Sequence, residues 1–154
     1  MVKILFICHG NICRSPMAEF IFKRICDEEG VGGVDVSSSA TSDEEIVGGI
    51  GNPVYPPARI ELQKHGIDCS GKRAVCLKKE DYDKYDLFIA MDNYNIRNIL
   101  RIFGSDAEDK VRLLLDYDGG GEVYDPWYTG DFKQAYCDIE RGCNALLREI
   151  VNRI

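Results

Sequence analysis

Near the start of the chain, Cys8, Gly10, Asn11, Arg14 and Ser15 stand close together in the stretch CHGNICRSP. These residue types suit one kind of chemistry. A turn that feeds a helix N-terminus points several backbone N–H groups into one concavity, and the helix dipole adds positive potential. The result is a cradle for an anion. Arg14 adds a planar fork matched to two phosphate oxygens. Cys8 would form the floor, where the field that holds an anion also favours a thiolate. A free thiol titrates near about 8.5, and such surroundings bring the value down to about 3.5–7.5. Ser15 can donate its hydroxyl to that thiolate. A thiolate beneath a bound phosphoryl group is a nucleophile aimed in line at phosphorus. By itself the C-x5-R spacing is weak, because chance gives roughly half a match in such a chain. Here it occurs once, follows an apolar run, contains Gly10 and leads directly into Ser15-Pro16. The plain alternative is a strand–helix turn around a buried cysteine.

Phosphoryl transfer to Cys8 also needs a proton for the leaving oxygen, and the donor should come from another loop on the same rim. Asp125, in the segment Tyr124-Asp125-Pro126-Trp127-Tyr128, is the strongest candidate. Pro126 stiffens that loop, and Trp127 and Tyr128 could wall the mouth and stack on an aromatic leaving group. Asp-Pro is equally a turn signal. Asp116 and Asp118 are rivals, and Asp92 reads better as a helix cap.

The elements that must position these groups alternate. Apolar runs at 2–7, 34–38, 86–91 and 111–115 read as buried strands. Helical patterns run from Pro16, with Ser15 as cap, to Gly30; from Pro57 to His65; from the Asp92 or Asn93 cap to Gly104; and from Asp131 onward. This order predicts one α/β domain over residues 1–154, a single open four-stranded parallel sheet with helices on both faces. Ligands of such folds bind beyond the carboxyl ends of the strands, where strand order reverses. The long Gly- and Pro-punctuated segment 40–57 is a functional-loop candidate.

Composition limits the function classes. The 154 residues include 26 acidic and 19 basic side chains, a formal charge of −7, which argues against a nucleic-acid partner. No run of about 18 apolar residues suggests a membrane span. Seven cysteines without a secretory pattern point to free thiols in a reducing cytoplasm. There is no C-x-x-C, and His9 and His65 are far apart, so no metal site is expected.

The motif CHGNICRSP with the downstream Asp-Pro-Trp-Tyr resembles the low-molecular-weight protein tyrosine phosphatase family. Ser39-Ala40-Thr41-Ser42, Gly51-Asn52-Pro53, His65-Gly66-Ile67 and the Met91-Asp92…Asn95 junction extend the resemblance over nearly the whole chain. It implies a three-layer, Rossmann-like fold and hydrolysis of phosphotyrosine in proteins, or of small aryl phosphates, through a phosphocysteine intermediate. It further implies Cys8 as nucleophile, Arg14 as phosphate clamp and Asp125 as general acid and base. His9, Gly10, Asn11, Ile12, Cys13 and Ser15 would complete the phosphate-binding loop, with Asn11 in a hydrogen-bond network including Ser38 and His65. From the residues alone, His65 reads as well as an ordinary helix-end histidine. Cys13 matches the family's second loop cysteine, which can form a protective disulfide with the nucleophile. No cofactor or metal is implied, because Arg14 and the backbone amides supply the positive field.

Some positions depart from the family pattern. His9 replaces a commonly apolar residue and either adds pH dependence or is an idle turn residue. The stretch 40–52 lacks the aromatic that often sandwiches the substrate ring, leaving Ile46 or Ile50 as stand-ins. Asp43, Glu44 and Glu45 either repel acidic peptides at the mouth or form a solvated loop tip. Trp127 takes the first place of a tyrosine pair found in some relatives. Two other readings compete. A thiol-dependent arsenate reductase would use Cys8 and relay cysteines such as Cys69 and Cys76, but the strand ending at Met91 carries no relay cysteine. A non-catalytic phosphate-binding module would have no need of nucleophile, clamp and acid together.

Overall fold

The computed structural model describes residues 1–153; residue 154, included in the expected domain, lies outside them. Its elements run β1 (Val2–Cys8), α1 (Arg14–Glu29), β2 (Val34–Ala40), β3 (Ile46–Val47), β4 (Ile50–Gly51), α2 (Pro56–Lys64), β5 (Leu87–Ala90), α3 (Asn93–Phe103), β6 (Val111–Leu113), α4 (Pro126–Thr129) and α5 (Phe132–Arg153). Short 3-10 turns occupy Lys79–Asp83 and Leu114–Asp118.

The four-stranded sheet has the order β2-β1-β5-β6, parallel throughout. Its central strand explains why β1 is apolar at successive positions. Side chains alternate across a strand, and both faces of this one are covered. Ile4 and Phe6 pack against Met17, Ile21 and Phe22 of α1 and, in the same cluster, Tyr136, Ile139, Cys143 and Leu146 of α5. Leu5 and Ile7 face the other way, toward Ile99 and Phe103 of α3. The expected architecture is therefore present. Among the described residues no helix is long and apolar enough to cross a membrane.

Two glycines are fixed by close approach. A Cβ on Gly142 would lie 2.6 Å from Leu114 Cγ, so the residue that lowers helix propensity lets α5 sit against the turn after β6. A Cβ on Gly51 would lie 2.0 Å from the Ala74 carbonyl oxygen, where β4 runs against the 73–75 segment.

Two local expectations are corrected. The helix starts at Arg14, with Cys13 in the cap position and no side-chain cap. Ser15 thus sits inside the first turn, because its hydroxyl is engaged elsewhere. The loop 40–57 is not structureless: β3 and β4 form a small antiparallel hairpin, turned by Gly48 and Gly49, both with positive φ.

Candidate active site

Cys8 ends β1, between β2 on one side and β5 on the other. This is the point where strand order reverses. The loop from Cys8 to Arg14 is pinned from outside through its carbonyls. Those of Cys8, His9, Ile12 and Cys13 accept from the N–H groups of Thr41, Ser42, Tyr55 and Met17, at 2.9–3.1 Å. In a planar trans peptide the carbonyl and the following N–H point in opposite directions. Carbonyls bonded in this way leave the N–H groups of His9, Gly10, Cys13 and Arg14 pointing to the opposite side, into the loop.

Asn11 holds this shape at a cost. Its φ is +59°, a left-handed conformation that asparagine tolerates better than most residues. Three hydrogen bonds offset the strain. Asn11 Oδ1 accepts from Val75 N at 3.0 Å, and its Nδ2 donates to Ser15 Oγ at 2.8 Å and to Ser38 Oγ at 3.0 Å. Ser15 Oγ lies 3.0 Å from Cys8 Sγ. The structure thus brings Cys8, Asn11, Ser15 and Ser38 together.

It leaves His65 out, correcting the network that includes it. His65 closes α2, where its ring stacks on Tyr136 at 3.7 Å and its Nε2 lies 3.1 Å from Glu61 Oε2. Glu19 takes up Ser38 instead: the Ser38 hydroxyl donates to Glu19 Oε1 at 2.6 Å.

Arg14 is 2% exposed and held from three directions. Its Nη1 donates to Asp92 Oδ2 and to the Val123 carbonyl, each at 2.7 Å, while Nη2 stands 3.5 Å from Asp125 Oδ2. Burial opposes its charge, but Cys8, Asp92 and Asp125 outweigh that effect and raise its pKa. Val123 N donates in turn to the Met91 carbonyl at 2.9 Å, tying the loop that carries Asp125 to the end of β5. Asp125 also caps α4, its Oδ1 accepting from Trp127 N at 3.0 Å. Asp125 thus closes a turn and also lines the cavity beside Arg14.

These groups open on one cavity of about 230 Å³, lined by Cys8, Ile12, Arg14, Asp125, Trp127 and Tyr128 and by His9, Gly10, Cys13, Glu44 and Glu45. Ile46 is not among them. It packs beside Ile12, Cys13 and Ala74, because the hairpin folds its first strand inward. Tyr55 supports the mouth from behind, 4.8 Å from the Trp127 ring. His9 Nε2 pairs with Glu44 Oε1 at 2.9 Å, and Asn52 Nδ2 donates to Glu45 Oε1 at 3.1 Å. The acidic stretch is therefore partly a cavity wall rather than only a solvated tip. Cys13 shares the cavity, and burial first, then Cys8 and Asp125, push its thiol pKa well up. Cys69 lies in the main core cluster, away from this lining.

Sequence reasoning missed several contributors. Asp92 does cap α3, accepting from Asn95 N at 2.8 Å, but its other oxygen holds Arg14. The buried, unpaired-looking Glu19 and the Val123 carbonyl gave no local signal. A buried arginine needs a carboxylate, and Asp92, at the end of a neighbouring strand, was the one clue available.

Comparison with known proteins agrees with this geometry. The family described as low molecular weight phosphotyrosine protein phosphatase matches residues 3–153. The low molecular weight protein-tyrosine-phosphatase YfkJ of Bacillus subtilis is 37% identical, over 97% of this chain and 96% of its own. Its crystal structure superposes with a TM-score of 0.92, covering 99% of this chain and 96% of that one. The low molecular weight phosphotyrosine protein phosphatase of Gallus gallus is 35% identical over 96% and 94% of the two chains. A structure of the YwlE arginine phosphatase, a variant with a phosphorylated active-site serine, aligns with a TM-score of 0.84 and 30% identity, over 97% of this chain and 95% of that one. Matched over nearly its full length, this chain belongs to the low molecular weight protein tyrosine phosphatase family.

Proposed function

We propose that this chain, as one phosphatase domain in the cytoplasm, hydrolyses phosphotyrosine or a similar aryl phosphate through a phosphocysteine, without a metal or cofactor. The observation that carries the reading is the convergence of Cys8, Arg14 and Asp125 on one cavity. The substrate phosphoryl group sits under the inward N–H groups and the Arg14 fork, which take the charge that metal ions hold in other phosphatases. The Cys8 thiolate attacks phosphorus, an S–P bond forms, and the bond to the aryl oxygen breaks. Asp125, protonated at this stage, gives its proton to the leaving phenolate. Its carboxylate then takes a proton from water, the oxygen attacks phosphorus, and the Cys8 thiolate leaves as inorganic phosphate is released. Trp127 and Tyr128 flank the leaving group. Phosphorylation of the active-site serine in the YwlE variant is consistent with a phosphoenzyme at the corresponding place.

The test is hydrolysis of p-nitrophenyl phosphate in EDTA with reductant. Wild type should turn over, Cys8→Ser should lose activity while still binding phosphate, and Asp125→Asn should fall by roughly 10²–10⁴-fold. Phosphoarginine provides a contrasting substrate, given the name of one structural relative. An inactive wild type, or activity retained by Cys8→Ser, overturns the proposal. A clear preference for phosphoarginine replaces the aryl substrate but keeps the phosphocysteine.

A further inference from the structure

Two carboxylates line the cavity without a part in the catalytic steps above: Glu44 and Glu45. Both stand beside a cradle for a phosphate dianion, where like charge weakens binding. Glu45 is nevertheless built in. Asn52 holds it twice, its N–H donating to the Glu45 carbonyl at 2.8 Å and its Nδ2 to Oε1 at 3.1 Å. The turn is closed by Ile46 N on the Asp43 carbonyl at 3.0 Å and by Glu44 N on Ser42 Oγ at 3.2 Å. The Glu45 stem lies against the phosphate loop, since a Cβ on Gly10 would stand 3.1 Å from Glu45 Cγ. Gly10 has no positive φ, so what glycine supplies at this position is room for that stem. Burial, Cys8 and Asp125, and after them Glu45, raise the pKa of Cys13, so the Glu45 charge reaches the floor.

The chain leaves this charge unmatched. Among the described residues no ion pair forms at Glu45, and Glu44 meets His9, which is a cation only when its ring is protonated. Arg14 is the one arginine or lysine in the lining, and Asp92 and Asp125 already share it. In the free enzyme water solvates the two carboxylates, Glu44 exposed and Glu45 half-buried. A substrate that covers the mouth displaces that water, and the carboxylates then need a partner that the enzyme does not provide. With a phosphotyrosine ring beside Trp127 and its phosphate in the cradle, the substrate backbone crosses the mouth. Side chains next to the phosphotyrosine come over the lip, and a lysine or arginine is long enough to reach a carboxylate there.

We infer that Glu44 and Glu45 are specificity-determining residues, which select phosphotyrosine flanked by lysine or arginine and reject phosphotyrosine flanked by acidic residues. The inference rests on the aryl phosphate reading. Charges at a wet rim act at modest strength and are screened by salt, so the selection is a matter of several-fold in kcat/KM and fades as ionic strength rises.

The experiment measures kcat/KM on matched phosphotyrosyl peptides with Lys, Ala or Glu on either side of the phosphotyrosine, with p-nitrophenyl phosphate as the substrate that has no flanks. The proteins are wild type, Glu45→Gln, Glu45→Lys and the double variant Glu44→Gln/Glu45→Gln, each first checked by thermal melting. At low salt, wild type should prefer the Lys peptide over the Glu peptide by about tenfold. The preference should shrink to within about threefold in the double variant, and likewise for wild type in about 0.3 M salt. Glu45→Lys should shift it toward the Glu peptide. On p-nitrophenyl phosphate the double variant should gain about two- to threefold, because a charge that repels the phosphate is gone. If the double variant does not fold, Glu45→Gln and Glu45→Lys carry the test. Wild type that treats the three peptides alike within about twofold overturns the inference, as does a preference that survives in the folded variants. A fall of about tenfold on p-nitrophenyl phosphate also overturns it, by assigning the carboxylates to the chemistry itself. Wild type that is inactive, or that hydrolyses phosphoarginine alone, instead overturns the aryl phosphate reading, and the inference with it.

Discussion

The floor and the rim of the cavity are built by opposite means. On the floor, Asn11, Arg14 and Ser15 are 1%, 2% and 0% exposed; Asn11 and Arg14 are held by hydrogen bonds to residues distant in sequence, and Ser15 by Asn11 and Cys8 of its own loop. On the rim, Trp127 is 56% and Tyr128 85% exposed, and the nearby hairpin presents Val47 and Ile50 to solvent. The floor lies where a central strand meets a helix, so its geometry is over-determined by the packing of both. The rim consists of the short helix α4 and the β3–β4 hairpin, which leave these side chains open to solvent. The difference separates two tasks. Charge stabilisation requires donors fixed before the reaction begins, whereas recognition of a leaving group tolerates side chains that adjust.

The sharpest way to break this contrast is at Asp92. Asp92→Asn keeps a good cap for α3 but removes the negative charge that holds Arg14. The expected outcome is a roughly 10- to 100-fold loss of kcat/KM, with a melting temperature close to wild type. A small kinetic effect would mean that the Val123 carbonyl and Asp125 suffice to orient the guanidinium.

A smaller effect tests burial inside the floor. Burial, Cys8 and Asp125 raise the Cys13 pKa. A raised thiol pKa keeps the proton on, so alkylation of Cys13 should begin only at pH values above those at which an ordinary thiol reacts. In Cys8→Ser protein exposed to iodoacetamide across pH 7–9, mass spectrometry should find the exposed Cys137 modified and Cys13 largely unmodified. Early labelling of Cys13 would show the floor to be far more open than its burial implies. The smallest effect belongs to the rim: Trp127→Ala should raise KM for an aryl phosphate a few-fold, leave kcat nearly unchanged and barely shift stability. A large drop in kcat would place Trp127 on the floor side of the division, acting through the Asp125 turn that its N–H closes.

Much of the fold was legible because burial writes directly into composition. A strand covered on both faces reads as a continuous apolar run, as in Lys3–Cys8 after its first residues, and α5 announces its inner face through Tyr136, Ile139, Cys143 and Leu146. The hairpin of β3 and β4 was not legible. Its strands are two residues each, too short for any period to show, although Gly48-Gly49 marked the turn. His65 and Ile46 were misplaced for a related reason. A side chain's partners across 30 or more residues depend on how two elements dock, and neither residue carries that information locally.

The amino-acid sequence by itself determined the strand–turn–helix unit with Cys8 at its floor and Arg14 and Ser15 at its helical end, because those groups are close along the chain and their geometry follows from local backbone preference. It also determined the parallel sheet, through the alternation of apolar runs and amphipathic helices. Only the tertiary structure decided what holds those groups in place: Asp92 and Val123 on Arg14, Glu19 and Lys72 behind Ser38, and Asp125 across the cavity. The physical reason is that desolvation makes each buried charge demand a partner, and the partner is chosen by whichever element packing brings within reach, however far away it lies in the chain.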